Sequence, residues 1–296
     1  MPRAALLSIH ARIAGTGPSA LDDPALVQVW GPRFSAYVVA VEDVAPFTLG
    51  RLSDDDRRRQ RAQDTAARLG AFLGGREMGD GEAGRALGVH PGSLRYAAPT
   101  GTVLIRWDGA RQTTVRTVPA PSVDPFEARL ELARRYLHVF GPTAPDAFAE
   151  WAGIKPPAGR AAFDALDAEL VVVLTPIGDR WILADDEAAF RTQAATASAT
   201  RLLPSGDTYF LLQGADRELL VPEADRRRLL WTPRVWPGAV LVAGDIVGTW
   251  RRAEAVVTVE PWRRLSRAER EAVEGEAASF PLPGLKREIV VNWTDE

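Results

Sequence analysis

The sequence predicts an α+β fold in which tandem winged-helix modules, each a helix-turn-helix with a β-hairpin wing, precede a C-terminal β-rich, barrel-like domain. Three observations support this fold class. Residues 82–118 have the pattern of two short helices joined by a turn, followed by two strands. The same order returns at 125–184. Beyond residue 200, helical spacing gives way to strand-like runs with tight turns.

The first 52 residues are predicted to form a truncated or degenerate first winged-helix module. Residues 3–14 carry apolar side chains at helical spacing, and residues 34–41 are apolar and β-prone. Because the helical pattern is already under way at the first residue, we expect the chain to be cut short there. Asp43 is expected to cap the next helix, and a catalytic carboxylate is the second interpretation of this residue.

Residues 53–118 are predicted to form a complete winged-helix module. Ser53 and Asp56 have the spacing of a capping box at the start of a long helix, which Gly74 and Gly75 end. The arginines that follow this cap either meet a DNA backbone or lie on a solvated helix face.

The helix-turn-helix and the wing of this module supply the candidate DNA contacts. The second short helix should bury Leu94, Ala97 and Ala98 and leave its other face open. In a winged helix this element can enter the major groove, while arginines of the wing meet phosphates. A winged helix can also bind proteins, so both partners stay open at this point. The candidate DNA-binding residues are Ser93, Arg95, Tyr96, Arg106 and Arg111.

Residues 119–190 are predicted to form another winged-helix module, and residues 200–296 a β-rich domain with one helix. Asp124 and Pro125 open a helix in the order cap then proline. Ser266 and Glu269 have the spacing of a capping box for the helix of the last domain. The strands of that domain are expected at 208–212, 239–243, 246–251, 255–260 and 288–293.

The amino-acid composition excludes several classes of functional site. The chain has no cysteine, which excludes disulfides, thiolate zinc sites and a cysteine nucleophile, and His10, His90 and His138 are too scattered to predict a histidine-built metal site. We therefore expect no metal and no cofactor. There is neither an apolar run of membrane-spanning length nor a signal-peptide pattern, so we expect no membrane partner. A net charge of −3 confines nucleic-acid binding to a local patch. The cations are almost all arginines, which suits phosphate binding but is equally expected of a GC-rich genome.

Several short stretches carry a family resemblance. They are YLHVFGPT at 136–143, FAEW at 148–151, LLPSGD at 202–207, DR at 216–217, GAVLVAG at 238–244 and GTWR at 248–251. With tandem winged helices and a β-rich end, the chain resembles the bacterial winged-helix DNA-binding family that contains the AlkZ and YcaQ DNA glycosylases. The resemblance implies that double-stranded DNA is held on a concave surface and that bulky or cross-linked alkylated bases are excised. We expect a monomer in the cytoplasm, associated with the nucleoid.

The family's catalytic pair is where the chain departs from the resemblance. The family carries Gln-x-Gln or Gln-x-Asp near its N-terminus, and residues 2–7 resemble the segment that directly follows that pair. The pair is absent from this chain, so we expect the true start of the gene to lie upstream. Gln28 does not replace it, because it adjoins GPRFSAYVV at 31–39, which resembles a later family segment, Arg-Gly-Thr-Leu-His-Leu-Val.

Two interpretations from different classes follow from this departure. The first is a metal-free DNA glycosylase. The second is a non-catalytic relative that binds distorted duplex or regulates transcription, and a protein-interaction scaffold is a third possibility. In the later segment Arg33 matches the family, whereas Tyr37 replaces its histidine. The candidate catalytic residues within the chain are Arg33, Tyr37 and Asp43.

Overall fold

The structure is a computed structural model that describes residues 2–108, 112–192, 199–282, 284 and 287–294. The helices are α1 (Pro2–His10), α2 (Val44–Thr48), α3 (Asp56–Leu73), α4 (Asp80–Ala86), α5 (Pro125–Phe140), α6 (Pro145–Ala152), α7 (Pro156–Ala165), α8 (Glu187–Arg191), α9 (Arg217–Leu220), α10 (Ala224–Leu230) and α11 (Arg267–Ala278). The strands are β1 (Leu26–Trp30), β2 (Ala36–Ala40), β3 (Met78–Gly79), β4 (Val103–Arg106), β5 (Thr114–Thr117), β6 (Leu170–Thr175), β7 (Gly178–Leu183), β8 (Arg201–Leu203), β9 (Gly238–Val242), β10 (Asp245–Ala253), β11 (Val256–Pro261) and β12 (Val290–Trp293).

The chain forms two compact units. The first unit consists mainly of Asp22–Glu187, and the second combines Arg3–Leu21 with Ala188–Glu296. Each unit contains both helices and sheet, so the predicted α+β class is confirmed. The finer division into winged-helix modules stays a prediction.

The first unit contains a five-stranded antiparallel sheet whose order does not follow the chain. The order is β2-β1-β4-β5-β3, so the hairpin of β1 and β2 lies beside the later hairpin of β4 and β5. Gln28 of β1 pairs with Ile105 of β4. The Gln28 amide extends this join, since Nε2 donates to the Trp107 carbonyl at 3.2 Å and Oε1 accepts from the Trp107 N–H at 2.9 Å. Gln28 therefore has a structural role in the sheet.

Helix α3 packs on this sheet, but its cap differs from the prediction. Asp55 is the N-cap, and its carboxylate accepts a hydrogen bond from the Arg58 N–H at 2.9 Å. The predicted capping box of Ser53 and Asp56 is therefore wrong. A carboxylate interacts more favourably than a hydroxyl with the positive end of the helix dipole. Gly74 ends the helix in the left-handed region, with φ of 54°.

The second helix of the predicted helix-turn-helix is a 3₁₀ helix, Pro91–Thr100. It buries Leu94, Ala97 and Ala98, as the pattern predicts. Pro99 lies inside this helix rather than ending it. A proline has no N–H to donate, and the i to i+3 bonding of a 3₁₀ helix suits such a short, proline-flanked segment.

Helix α5 begins at the predicted cap, because Asp124 accepts hydrogen bonds from two N–H groups of the first turn. Further along, Arg129 is only 3% exposed and donates to the carbonyls of Gly50 and Leu52 at 3.1 and 2.7 Å. Its guanidinium also bonds both oxygens of Asp54, at 2.9 and 3.0 Å. Arg129 thus donates hydrogen bonds to two buried carbonyls, and the Asp54 carboxylate balances its charge.

The second unit contains an open five-stranded sheet, so the predicted barrel is wrong. The order is β12-β11-β10-β9-β8, and β11 pairs with β12 in parallel while the other pairs are antiparallel. In the described residues the edge strands β8 and β12 do not pair with each other. The strand predicted at 208–212 is also wrong, because Asp207 caps a 3₁₀ turn over Thr208–Phe210. The capping box of Ser266 and Glu269 at α11 is confirmed.

Helix α1 packs into the core of the second unit, although it comes first in the chain. Leu7 is buried with residues of β8 to β11 and α11. Arg12, just after the helix, forms a two-bond ion pair with the buried carboxylate of Asp207, at 2.9 and 2.7 Å. The Arg201 guanidinium donates to the Ala11 carbonyl at 2.8 Å. Residues separated by almost the whole sequence therefore share one core.

Gly238 marks a close approach in the sheet of the second unit. The Trp250 indole donates from Nε1 to the Leu203 carbonyl at 2.9 Å, and this bond passes directly over Gly238. A Cβ at 238 would lie 2.2 Å from the indole nitrogen and 2.5 Å from the carbonyl oxygen. Only glycine fits beneath this hydrogen bond.

Candidate nucleic-acid interface

The 3₁₀ helix presents three of the predicted DNA contacts. Because Leu94 and Ala97 face the core, Arg95 and Tyr96 are exposed, and Ser93 is half-buried. Tyr96 is 46% exposed, which is high for so large an aromatic side chain.

The wing residues have different surroundings. Arg106 projects from the end of β4 and forms an ion pair with Asp22 at 3.3 Å, and both side chains are 65% exposed. An ion pair this exposed contributes little to stability and can exchange for a phosphate. Arg111 lies outside the described residues.

Two contacting aromatic rings with a cation at each end connect the core of the first unit with its surface. The Arg51 guanidinium lies 4.9 Å from the centre of the Phe34 ring. The Phe34 ring meets the Tyr96 ring edge to face, with centroids 4.9 Å apart. The Arg95 guanidinium lies 5.4 Å from the centre of the Tyr96 ring. We refer to Arg51, Phe34, Tyr96 and Arg95 as the cation–aromatic ladder.

Phe34 occupies its place in the ladder through an unusual backbone conformation. Arg33 and Phe34 have φ of 51° and 58°, in the left-handed region that residues with a Cβ rarely adopt. In the family segment that residues 33–39 resemble, the position of Phe34 is a glycine. Phe34 therefore carries a steric cost that glycine would avoid, and strain of this kind is found mostly at functional positions.

Arg51 anchors the buried end of the ladder. It is 5% exposed, and it donates from Nε to the Ala152 carbonyl at 2.8 Å and from Nη1 to the Trp30 carbonyl at 3.0 Å. Ala152 is the last residue of α6, whose C-terminal dipole favours a cation. In the part of the chain that the structure describes, no carboxylate contacts Arg51. Burial lowers the pKa of Arg51 to about 10, so the guanidinium remains charged at neutral pH.

Of the three catalytic candidates, Arg33 and Tyr37 lie beside the ladder. Arg33 precedes Phe34 and lies against Gly153, where a Cβ would come within 3.3 Å of the Arg33 Cα. Burial raises the pKa of the Tyr37 phenol to about 12, against the opposing effect of the Arg33 and Arg51 charges. Tyr37 is therefore protonated at neutral pH and can donate a hydrogen bond, but it cannot accept a proton as a general base.

Asp43 lies in a separate ion pair. Asp43 is the N-cap residue of α2, as predicted, but its side chain makes no capping hydrogen bond. Oδ1 of Asp43 instead lies 3.0 Å from the Arg135 guanidinium. Burial raises the pKa of Asp43, and the charge of Arg135 opposes this rise.

The sequence interpretation missed Arg51 and Phe34. Arg51 is the only charged residue from Val44 to Ser53, in a stretch that reads VAPFTLGRLS. A lone arginine in an apolar segment is a signal that it is buried and bonded. Phe34 gave no such signal, because the partners of its ring, Arg51 and Tyr96, are distant in sequence.

The described residues lack two features. No group of three or more His, Asp or Glu in these residues is placed to hold a metal ion. No described helix is long and apolar enough to cross a membrane.

Nearly the whole chain is similar to known proteins. A family model described as DNA glycosylase AlkZ-like matches residues 1–281. The solved structure of the Streptomyces sahachiroi DNA glycosylase AlkZ is similar, with a TM-score of 0.77 and 18% identity, over 99% of this chain and 89% of that chain. At this identity the structural similarity shows the fold alone. No curated protein matches the sequence.

Proposed function

Because this chain belongs to the AlkZ-like DNA glycosylase family, we propose that it acts on double-stranded DNA and excises bulky or cross-linked alkylated bases. The observation that carries the proposal is the family match, which extends through almost the whole described chain. The similarity in fold to the AlkZ structure supports it.

The proposed reaction is hydrolysis of the bond between an alkylated base and its sugar. The cationic base leaves readily, so the protein has to stabilise an oxocarbenium-like sugar and hold one water molecule against it. Tyr37 is suited to donating a hydrogen bond. Asp43 is the candidate that could place negative charge beside the sugar, once its pairing with Arg135 is exchanged. Both roles are proposals, as is a role for Arg33.

The proposed DNA surface combines two parts of the first unit. We assign residues 53–118 and 119–190 to winged-helix modules and residues 200–296 to the C-terminal β-rich domain. The degenerate first module expected at residues 1–52 is divided, because Arg3–Leu21 belong to the second unit and β1 pairs with β4. Ser93, Arg95 and Tyr96 would meet DNA from the 3₁₀ helix, and Arg106 would meet phosphates. Arg111 keeps the same proposed role from the sequence pattern.

The test is release of a methylated or cross-linked base from a defined duplex. Because the chain lacks the family's catalytic pair, release from the modified duplex requires Arg33, Tyr37 or Asp43 to replace it. Release should be absent from the same duplex without the modification and unchanged by a chelator. Binding to both duplexes should weaken steeply with salt, because each phosphate contact releases counterions. Binding without release would contradict excision and indicate a non-catalytic DNA-binding relative. Loss of release on chelation would contradict a metal-free reaction.

A further inference from the structure

The exposed end of the cation–aromatic ladder has the properties of a base-stacking surface. We propose that Tyr96 stacks on an unpaired, unstacked nucleobase, and that the cation–aromatic ladder orders the Tyr96 ring before the base binds. This inference rests on the proposed function, because it requires that DNA reaches the 3₁₀ helix.

The surroundings of Tyr96 leave its ring available. It is 46% exposed, while Leu94 and Ala97 on the same helix are fully buried. In the described residues the Tyr96 hydroxyl has no hydrogen-bond partner. Its hydroxyl therefore does not explain why an aromatic residue is exposed here, whereas a role of the ring does.

The ladder fixes the ring in place before any ligand arrives. Phe34 contacts Tyr96 edge to face at 4.9 Å, and the Arg51 guanidinium lies over the Phe34 ring at the same distance. Arg51 in turn is tied to two backbone carbonyls in the core. A side chain that is already ordered loses little conformational entropy on binding, so more of the stacking energy appears as affinity.

The chemistry favours an unpaired base over paired duplex. A paired base has both faces covered by its neighbours, whereas an unstacked base exposes a π-face that an aromatic ring can cover. Arg95, which lies over the Tyr96 ring at 5.4 Å, adds a cation that suits the adjoining phosphate or the base itself. Ring and cation together match a nucleotide in a locally opened strand.

The test uses an oligonucleotide carrying one 2-aminopurine, whose fluorescence falls when it stacks. The full chain is titrated with the single strand and with the same strand in a fully paired duplex. The variants are Tyr96→Ala, Tyr96→Phe and, as the control, Phe190→Ala, which removes an aromatic side chain that is 52% exposed elsewhere. Thermal unfolding of each variant shows whether it is folded.

We expect wild type and Tyr96→Phe to quench the fluorescence of the single strand. Tyr96→Ala should lose the quenching and about tenfold in affinity for the single strand, as is typical of one base–aromatic stack. Its affinity for the paired duplex should change much less, and Phe190→Ala should behave as wild type.

Each other outcome contradicts a defined part of the reasoning. Equal losses by Tyr96→Ala on both probes would overturn the stacking inference alone, because the ring would then contact the groove or the backbone. An unchanged Tyr96→Ala would overturn it too, and a protein ligand would become the better explanation of the exposed ring. Wild-type protein that binds neither probe would overturn the proposed function together with this inference.

Discussion

Replacing Arg51 by methionine should destabilise the fold much less than replacing Arg129 by methionine. Both guanidiniums are buried, and each donates to two backbone carbonyls. They differ in counter-charge, because Asp54 bonds Arg129 through both of its oxygens. No such carboxylate contacts Arg51 in the described ranges.

The magnitudes follow from these contacts. A hydrogen bond to a charged group contributes about 1.5–3 kcal/mol, so two of them contribute roughly 3–6 kcal/mol at either site. Burial lowers the pKa of Arg51 by about two and a half units, to about 10. Holding that charge in the fold therefore costs about 3 kcal/mol. The net loss for Arg51→Met is then about 0–3 kcal/mol, whereas Arg129→Met should lose roughly 3–6 kcal/mol, because Asp54 offsets the cost of burying its charge.

Urea unfolding of the two variants, followed by circular dichroism, measures the difference. A double-mutant cycle with Asp54→Asn provides the control, since Arg129→Met should cost less once the carboxylate is gone. Equal losses for Arg51→Met and Arg129→Met would refute the reasoning, and so would additive effects of Arg129→Met and Asp54→Asn. Either result would mean that the counter-charge does not determine how much a buried arginine contributes to the free energy of unfolding.

Three further predictions concern the DNA surface and the second unit. The double variant Arg95→Ala, Arg106→Ala should weaken duplex binding severalfold in a fluorescence titration with thermal stability nearly unchanged, because both side chains are exposed; a large loss of stability would contradict this. The Arg263 guanidinium and the Ser266 N–H hold the pKa of Glu269 at about 2, below its unfolded value, so the stability it supplies is present at neutral pH and is lost as the pH falls from about 4.5 to about 2. Titration by NMR should show this pKa, and Arg263→Ala should raise it; a Glu269 that titrates near its ordinary value in the wild type would disprove the contact. Gly238→Ala should lower the free energy of unfolding by about 2 kcal/mol or more, because its Cβ would break the hydrogen bond above it, and a neutral result in urea unfolding would show that the strand can shift.

Local patterns were the part of the fold that the sequence could predict. The 3₁₀ helix buries Leu94, Ala97 and Ala98, and α11 has its capping box at Ser266 and Glu269, as predicted. These features depend on residues within a few positions of one another. The equally local capping box of Ser53 and Asp56 was wrong, because the neighbouring Asp55 is the cap.

Long-range pairing was the part that the sequence could not predict. The hairpin of β1 and β2 joins β4, and the strands of the second unit form an open sheet rather than a barrel. Neither arrangement follows from the pattern of one strand, because each strand only specifies which face is buried. The same holds for the site, where Arg51 meets the carbonyls of Trp30 and Ala152, far from it in the chain.

The second unit is built from two segments that are distant in sequence, and this affects the order in which the protein folds during synthesis. Helix α1 contributes Leu7 to a core whose strands begin only at Arg201. At typical rates of synthesis the ribosome needs on the order of 10–40 s to make the residues between α1 and Arg201. A nine-residue helix is too short to be stable alone in water. Helix α1 therefore stays unfolded until the strands of the second unit have emerged, and during that interval it is exposed to chaperones and proteases.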